Sequence, residues 1–251
     1  MELSGNTVLI TGGSSGIGFA LAEAFLAAGS KVLICGRSEK RLREARSKHP
    51  QFHIRVCDVS KPEDRQALLA WTKDHFPDLN VLVNNAGIQR DIDLTRGPDE
   101  FLAGENEIRV NLEAPVLLSA MFAPVLAGKK GAALINVSSG LGFVQAAGMP
   151  VYSASKAGMH GFCMAIRKQF EAIGVRVFEV VPPAVDTNLN PEGRRKRGNF
   201  KAGLNPREFV AGVMQGLKYD TPEIGFGMTA AFIHASRADL NRRFEQMNSR
   251  M

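Results

Sequence analysis

Short uninterrupted apolar runs alternate along this chain with longer stretches in which apolar residues recur every three or four positions. The runs are Thr7-Val8-Leu9-Ile10, Val32-Leu33-Ile34-Cys35, Phe52-His53-Ile54-Arg55-Val56, Val81-Leu82-Val83, residues 132–137, and Val175-Arg176-Val177-Phe178-Glu179-Val180. A strand covered on both faces reads as a continuous apolar run, so these six are predicted as strands of a parallel sheet. The stretches between them predict helices. Residues 19–28 form one that ends at Gly29, residues 39–48 a charged one, and a third opens with Ser60 as N-cap and Pro62 nearby. Further helices are predicted over about 105–127, over about 151–173 with a stop at Gly174, and from Pro206 with Asn205 as cap. A short strand near 223–227 and a helix near 235–248 complete the pattern. The fold class predicted is α/β: a doubly wound parallel sheet of about seven strands with helices on both faces. Residues 188–204 break the rhythm and read as a loop.

Composition narrows the picture. The 251 residues contain no Pro/Gly/Ser-rich linker, low-complexity tract or internal repeat, so one domain over 1–251 is expected. Thirty-one Lys+Arg against 25 Asp+Glu give a net charge of +6, which permits anionic ligands without arguing for nucleic acid. The basic cluster Arg194-Arg195-Lys196-Arg197, followed by Lys201, has no interleaved aromatics. It reads as a solvated charge run; the functional alternative is recruitment of an acidic or phosphorylated substrate. Cys35, Cys57 and Cys163 show no metal-ligand spacing, so no metal is expected. The chain is polar from its first residues and no apolar run reaches ~18 residues, so neither a signal peptide nor a membrane span is expected, and a cytoplasmic location is.

Candidate chemistry lies at the ends of the strands. Thr11-Gly12-Gly13-Ser14-Ser15-Gly16-Ile17-Gly18 stands between a strand and a helix, the context a dinucleotide turn requires. Glycines let the backbone turn sharply and approach a pyrophosphate, while the helix N-terminus offers N–H groups to it. The second strand ends in Cys35-Gly36-Arg37-Ser38. Gly36 takes the place where an acid would bind the ribose 2′-hydroxyl of NAD, and Arg37 suits a 2′-phosphate. NADP(H) is therefore favoured, with NAD(H) possible if Glu39 swings back to the ribose. Tyr152 and Lys156 are four residues apart and share a helix face. An ammonium near a phenol favours the phenolate and brings an acid–base group towards neutral pH. Ser139, 13 residues before Tyr152, ends a buried-strand pattern in hydroxyls.

The Gly-x-x-x-Gly-x-Gly spacing and the order Asn111, Ser139, Tyr152, Lys156 resemble the short-chain dehydrogenase/reductase superfamily over essentially residues 5–190. The resemblance implies a Rossmann fold and a hydride transfer between a nicotinamide and a carbonyl or alcohol. It makes Tyr152 the proton donor to the carbonyl oxygen. Lys156 would lower the tyrosine pKa and bond the ribose. Ser139, preferred to Ser138 on the family's separation of 13, would bond the same oxygen, and Asn111 would hold a water leading to Lys156. It also assigns cofactor contacts to Gly12, Ser14, Ser15, Gly16, Ile17, Gly18 and Arg37, to Asp58 and Val59, and to Asn85, Ala86 and Gly87 beyond a strand-tying Asn84. Pro182, Val185 and Thr187 would flank the nicotinamide; Pro183 departs from the family's glycine and fixes φ there. This Pro-Pro pair resembles a bacterial oxidoreductase subgroup associated with the D-alanyl-teichoic-acid operon. A substrate lid over about 188–217, a small-molecule carbonyl or alcohol substrate, and a homodimer or homotetramer paired through 105–127 and 151–173 are implied too. The alternatives are an NAD(H)-dependent alcohol dehydrogenase and a dinucleotide-sensing protein without turnover.

Overall fold

β1 (Thr7–Thr11) is a five-residue strand with every residue buried, and the rest of the sheet is laid out from it. The computed structural model describes residues 1–196, 198 and 203–249. Beside β1 lie β2 (Lys31–Gly36) and then β3 (His53–Val56) on one side. On the other side come β4 (Val81–Asn84), β5 (Ala133–Val137), β6 (Arg176–Val181) and β7 (Glu223–Gly225). Every pairing is parallel and the order is β3-β2-β1-β4-β5-β6-β7. The direction of growth reverses between β3 and β4. Loops leaving the C-terminal ends of β1 and β4 therefore diverge, and a crevice opens above them.

Side chains on a strand alternate between faces, and the core divides accordingly. Val8, Ile10, Val32, Ile34, Val81 and Val83 face one side, where they pack with α1 (Gly16–Ala27), α2 (Glu39–Lys48) and α8 (Pro206–Lys218). Leu9, Leu33, Cys35 and Leu82 face the other, against α3 (Pro62–His75), α5 (Ala114–Leu126) and α6 (Pro150–Glu171). Fully burying each such aliphatic chain stabilises the fold by about 1.5–3 kcal/mol. All three cysteines are buried. Asn84 fastens the centre of the sheet: its amide donates to Asn136 Oδ1 (2.9 Å) on β5 and to Ser119 Oγ (3.2 Å) on α5.

Several expectations are corrected. Ser60 does not cap α3; its hydroxyl donates to Asp58 Oδ1 (2.7 Å), and Lys61 takes the cap position. The predicted helix over 105–127 is interrupted by a π-turn, Arg109–Glu113, before α5 begins. Residues 109–126 are also long and apolar enough, by length and composition, to cross a membrane. Their faces carrying Val110, Ala114, Leu118 and Phe122 are buried against the sheet, as in the core helix of a globular fold. Of the expected lid, 206–217 belongs to α8, whose Phe209, Val210 and Val213 are core residues, with Asn205 capping as predicted (2.9 Å to Arg207 N). Before it stands α7 (Pro191–Lys196). Arg197 and Lys201 of the basic cluster lie outside the described residues.

Four helices were not anticipated or only partly so: α4 (Asp99–Leu102), α7 within the expected loop 188–204, α9 (Met228–Ile233) and, starting two residues later than expected, α10 (Arg237–Asn248). Phe232, Leu240 and Phe244 from the last two pack on Phe143, Val144 and Val181. Asn248 then bonds the main chain of the 145–147 loop from both sides of its amide (2.8 and 3.0 Å). The C-terminal helices thereby brace the segment between β5 and α6.

Candidate active site

The crevice above β1 and β4 is floored by main chain. Gly12 and Gly16 both adopt positive φ (66° and 56°), a conformation that strains any other residue. Ser15 takes the N-cap position of α1 with an extended backbone and no side-chain cap bond, and the first turn carries no acidic residue. The opening N–H groups of α1, including those of Ile17 and Gly18, are thus left to an external partner. Thr11 Oγ1 accepts from both Asn85 N and Ala86 N (3.0 Å each), drawing the end of β4 against the turn. The Asn85 amide donates to Thr11 O (2.9 Å). At the far side a side chain on Gly16 would touch Thr187, so the segment after β6 closes over the turn.

Around the second strand the picture is more guarded. Ser14 Oγ lies 3.6 Å from where a Gly36 side chain would begin. Arg37 is half-exposed and paired with Glu105, while Glu39 accepts from Arg43 (2.9 Å). Asp58 Oδ1 is held by Ser60 N (3.0 Å) and Oγ, and Val59 is buried. Pro182 O accepts from Gly140 N (3.0 Å). Val185 bridges to Leu204 in parallel, with Leu204 N on Ala184 O and Asp186 N on Leu204 O (2.9 Å each). No main-chain donor is demanded of Pro183, so the family's glycine is replaced without a lost bond in that ladder. Arg194 donates to Val185 O (2.6 Å) and faces Asp186 (3.6 Å). One member of the basic cluster therefore secures the loop.

The reacting residues converge from two elements. Ser139 accepts from Leu141 N (3.1 Å) and caps a 3₁₀ turn, Gly140–Gly142. Gly142 sits so close to α6 that a side chain there would meet Lys156 O at 2.8 Å. Ser139 is thereby brought beside the Tyr152 hydroxyl, near enough to lower its pKa, whereas Ser138 donates to Val180 O (3.3 Å) within the sheet. Lys156 Nζ donates to Val137 O (2.9 Å) and stands 5.7 Å from the Tyr152 ring centroid. Burial pushes Tyr152 up to about 12; Ser139 draws it back in part, and the field of Glu107 adds to the rise. Burial pulls Lys156 down to about 8. The expected lowering of the tyrosine by the lysine is therefore not the state of the protein alone. Desolvation of the phenolate raises the phenol, and the ammonium is held by a carbonyl.

Asn111 is buried in the π-turn. Its amide donates to Ile88 O (2.8 Å) and Ser155 Oγ (3.1 Å), and its Oδ1 accepts from Ile88 N (2.9 Å). Both amide hydrogens are committed, so any water it holds is held by an oxygen. Gly87 completes the cradle: Asn111 Oδ1 and Lys156 Nζ lie 3.3 and 3.7 Å from the place of its missing side chain.

A glycine turn under β1, a Ser–Tyr–Lys group beyond β5 and an asparagine on a π-turn form one crevice. The sequence profile of the short chain dehydrogenase family matches residues 6–198. This chain belongs to that family. The enzyme is 46% identical over 249 residues, 99% of each chain, to the protein named uncharacterized oxidoreductase DltE of Bacillus subtilis. A short chain dehydrogenase from Burkholderia cenocepacia in complex with NADP superposes with a TM-score of 0.82 at 27% identity, covering 97% of this chain and 99% of that one. One from Burkholderia phymatum in complex with NAD gives 0.83 at 21% identity, covering 98% and 95%, a likeness of fold. This short chain dehydrogenase is an oxidoreductase of the subgroup that the Pro-Pro pair suggested.

Sequence reasoning missed three contributors to this dehydrogenase's site: Thr11, Glu105 and Glu107. Thr11 was visible only as the opening residue of the glycine turn. Glu105 meets Arg37 through tertiary folding alone. Glu107 carried a signal, an acid four residues before Asn111, that was not used.

Behind Lys156 lies a second polar group. His160 Nδ1 is 2.8 Å from Glu179 Oε2, and Arg167 is 3.4 Å from Glu223. His160, Glu179 and Glu223 place donor atoms within 4.8 Å of one another, but each carboxylate already has a cation beside it. This is an ion-pair network under α6. The bond to Glu179 holds the His160 pKa above its ordinary value. A raised folded-state pKa means that the pair's contribution is fully present below the unfolded value of about 6.5 and fades as pH rises through the folded one. Glu107, also raised, acts in the same direction, so the comparison must be between variants. His160→Gln should flatten the fall of Tm with pH between about pH 6 and pH 9. Parallel Tm curves for the two proteins would dismiss the pair as a source of stability.

Proposed function

We propose that this protein is an NADP(H)-dependent oxidoreductase that interconverts a small-molecule carbonyl compound and the matching alcohol. The observation that carries the reading is the meeting of Ser139, Tyr152 and Lys156 beside an uncapped helix N-terminus at the point where the sheet reverses. A nicotinamide dinucleotide fits the residues present. Gly12, Gly13, Gly16 and Gly18 let main chain line the turn, α1 leaves its first N–H groups unclaimed, and Gly87 leaves room before Lys156. The complexes of related dehydrogenases with NADP and NAD support the same ligand class.

When bound, that cofactor supplies or accepts the hydride. The protein's part is to hold the oxygen and move its proton. Ser139 and Tyr152 offer two hydrogen bonds to one substrate oxygen and fix it in a reactive pose. Tyr152, a phenol at neutral pH, gives its proton to that oxygen in carbonyl reduction and takes it back in alcohol oxidation. Lys156, close to its ring and cationic, stabilises the phenolate left behind. Reduction suits a tyrosine that rests protonated.

Arg37 is the residue that reads the 2′-phosphate in this proposal. Its pairing with Glu105 favours the second reading, an NAD(H) enzyme, because the guanidinium must leave a carboxylate to bind a phosphate. Fluorescence titration with NADPH and NADH separates the two. NADPH should bind more tightly. Arg37→Ser should weaken NADPH binding about ten- to a hundred-fold with NADH little changed, the worth of charge-assisted bonds at about 1.5–3 kcal/mol. Glu105→Gln should strengthen NADPH binding. Equal affinities in the parent protein would transfer the assignment to NAD(H), and binding of neither would remove the enzyme reading of this site.

A further inference from the structure

Glu107 opens the helical segment that runs into the π-turn, four residues before Asn111. The two side chains therefore leave the helix on one face, a turn apart. Asn111 grips Ile88 by both its N–H and its C=O (2.9 and 2.8 Å), and Glu107 Oε1 accepts from Arg90 N (2.9 Å). Residues 88 and 90 alternate along the segment that leaves β4. Two helix side chains thus do for that segment what a neighbouring strand would do, taking its main-chain groups in turn. The far end is fixed as well: Ile92 N donates to Gly148 O (3.2 Å), two residues before α6 begins, and Asp91 accepts from Asn190 (3.2 Å). The Arg90 side chain donates to the carbonyls of Glu100, Phe101 and Glu105 (2.7–3.3 Å). Residues 88–92 accordingly form a strap between the π-turn, α6 and the segment after β6.

Glu107 is fully buried, and among the described residues its Oε2 has no hydrogen-bond partner. A carboxylate in that position is costly to ionise, and burial raises its pKa to about 7. The charged groups facing it are Arg90, which opposes the rise, and Asp91, which adds to it, both from the strap. Tyr152, on α6, lies within reach of its field, and a negative charge at Glu107 acts to hold the phenolic proton.

We propose that Glu107 is a positioning residue of this site: it clasps the strap at Arg90, and its uncharged form is the one in which Tyr152 most readily gives up its proton. The proposal rests on the reading of Tyr152 as the acid–base group. As pH rises and Glu107 ionises, the phenolate becomes harder to form, and reaction slows in either direction. Glu107→Gln keeps an oxygen for Arg90 N and removes the charge; Glu107→Ala removes both.

The chain has two tyrosines, Tyr152 and the largely exposed Tyr219, which makes a direct test simple. Protein carrying 13Cζ-labelled tyrosine should show a Tyr152 resonance with an inflection near pH 7. The inflection should vanish in Glu107→Gln. In that variant kcat/KM should fall less from about pH 6 to pH 9 than in the parent, by about three-fold or more. Glu107→Ala should raise KM beyond what Glu107→Gln does, because the strap is released. A parent resonance without an inflection near pH 7, or an inflection at that pH that survives in Glu107→Gln, overturns the proposal; a step near pH 8 common to both proteins reports Lys156. The spectra need no turnover: an inflection with no activity on any carbonyl would leave the link between the two groups standing and defeat the proposed reaction instead.

Discussion

Tyr152→Phe should lower kcat for carbonyl reduction by about 10²–10⁴, the range a positioned proton donor supplies. Affinity for the dinucleotide should stay within about two-fold, since the glycine turn and Lys156 are untouched. Phenylalanine keeps the buried ring. The oxygen removed has Ser139 as its neighbour, whose hydroxyl still accepts from Leu141 N, so the fold should lose only about 0.5–1.5 kcal/mol. Steady-state rates with a panel of ketones and aldehydes, read beside a cofactor titration, provide the check. A variant that retains most of its rate would take Tyr152 out of the chemistry. A parent that binds cofactor but reduces nothing would favour a dinucleotide sensor.

Gly18→Ala should be the most damaging small change at the cofactor end. A side chain at this position would land on Gly12 O and on the Asn85 amide. The amide can swing aside, but in doing so it abandons Thr11 O. The carbonyl cannot move without unwinding a turn that already holds Gly12 and Gly16 at positive φ. Overpacking of this kind costs about 1–3 kcal/mol, and each kcal/mol lowers Tm by about 2–4 °C in a protein of this size. Affinity for NADPH and NADH should fall together, by at least about ten-fold, because the displaced N–H groups serve the pyrophosphate common to both. Cofactor binding equal to the parent's would show that the turn adapts, and that the close packing of Gly18 is not what shapes the crevice.

The sheet was readable because its central strands are buried on both faces. Val8-Leu9-Ile10 and Val32-Leu33-Ile34-Cys35 leave no polar position to confuse the pattern. The glycine turn was readable because strand and helix frame it on either side. The π-turn was not, since a five-residue turn uses the same apolar residue types at nearly the same spacing as an α-helix. Ser60 misled because a hydroxyl two residues before a proline looks like a cap until Asp58 claims it. The engagement of Arg37 by Glu105 and of Arg90 N by Glu107 depends on chain segments meeting in space, which no local pattern records. The tyrosine's acidity was misjudged for a related reason. Proximity to Lys156 follows from helical spacing, but the depth of burial that raises the phenol does not.

The π-turn at Arg109–Glu113 has a consequence for chain length. Before and within it, the helix faces the strap with Glu107 and Asn111; downstream, it faces the sheet with Ala114, Leu118 and Phe122. One extra residue is what lets a single helix hold both orientations at once. An α-helix turns by about 100° per residue, so removing that residue would rotate one half against the other by as much. The side chains here tolerate exchange so long as their character is kept, but the count of residues between Glu107 and Leu118 does not. This stretch is a ruler, and it sets the angular phase between the chemistry and the core.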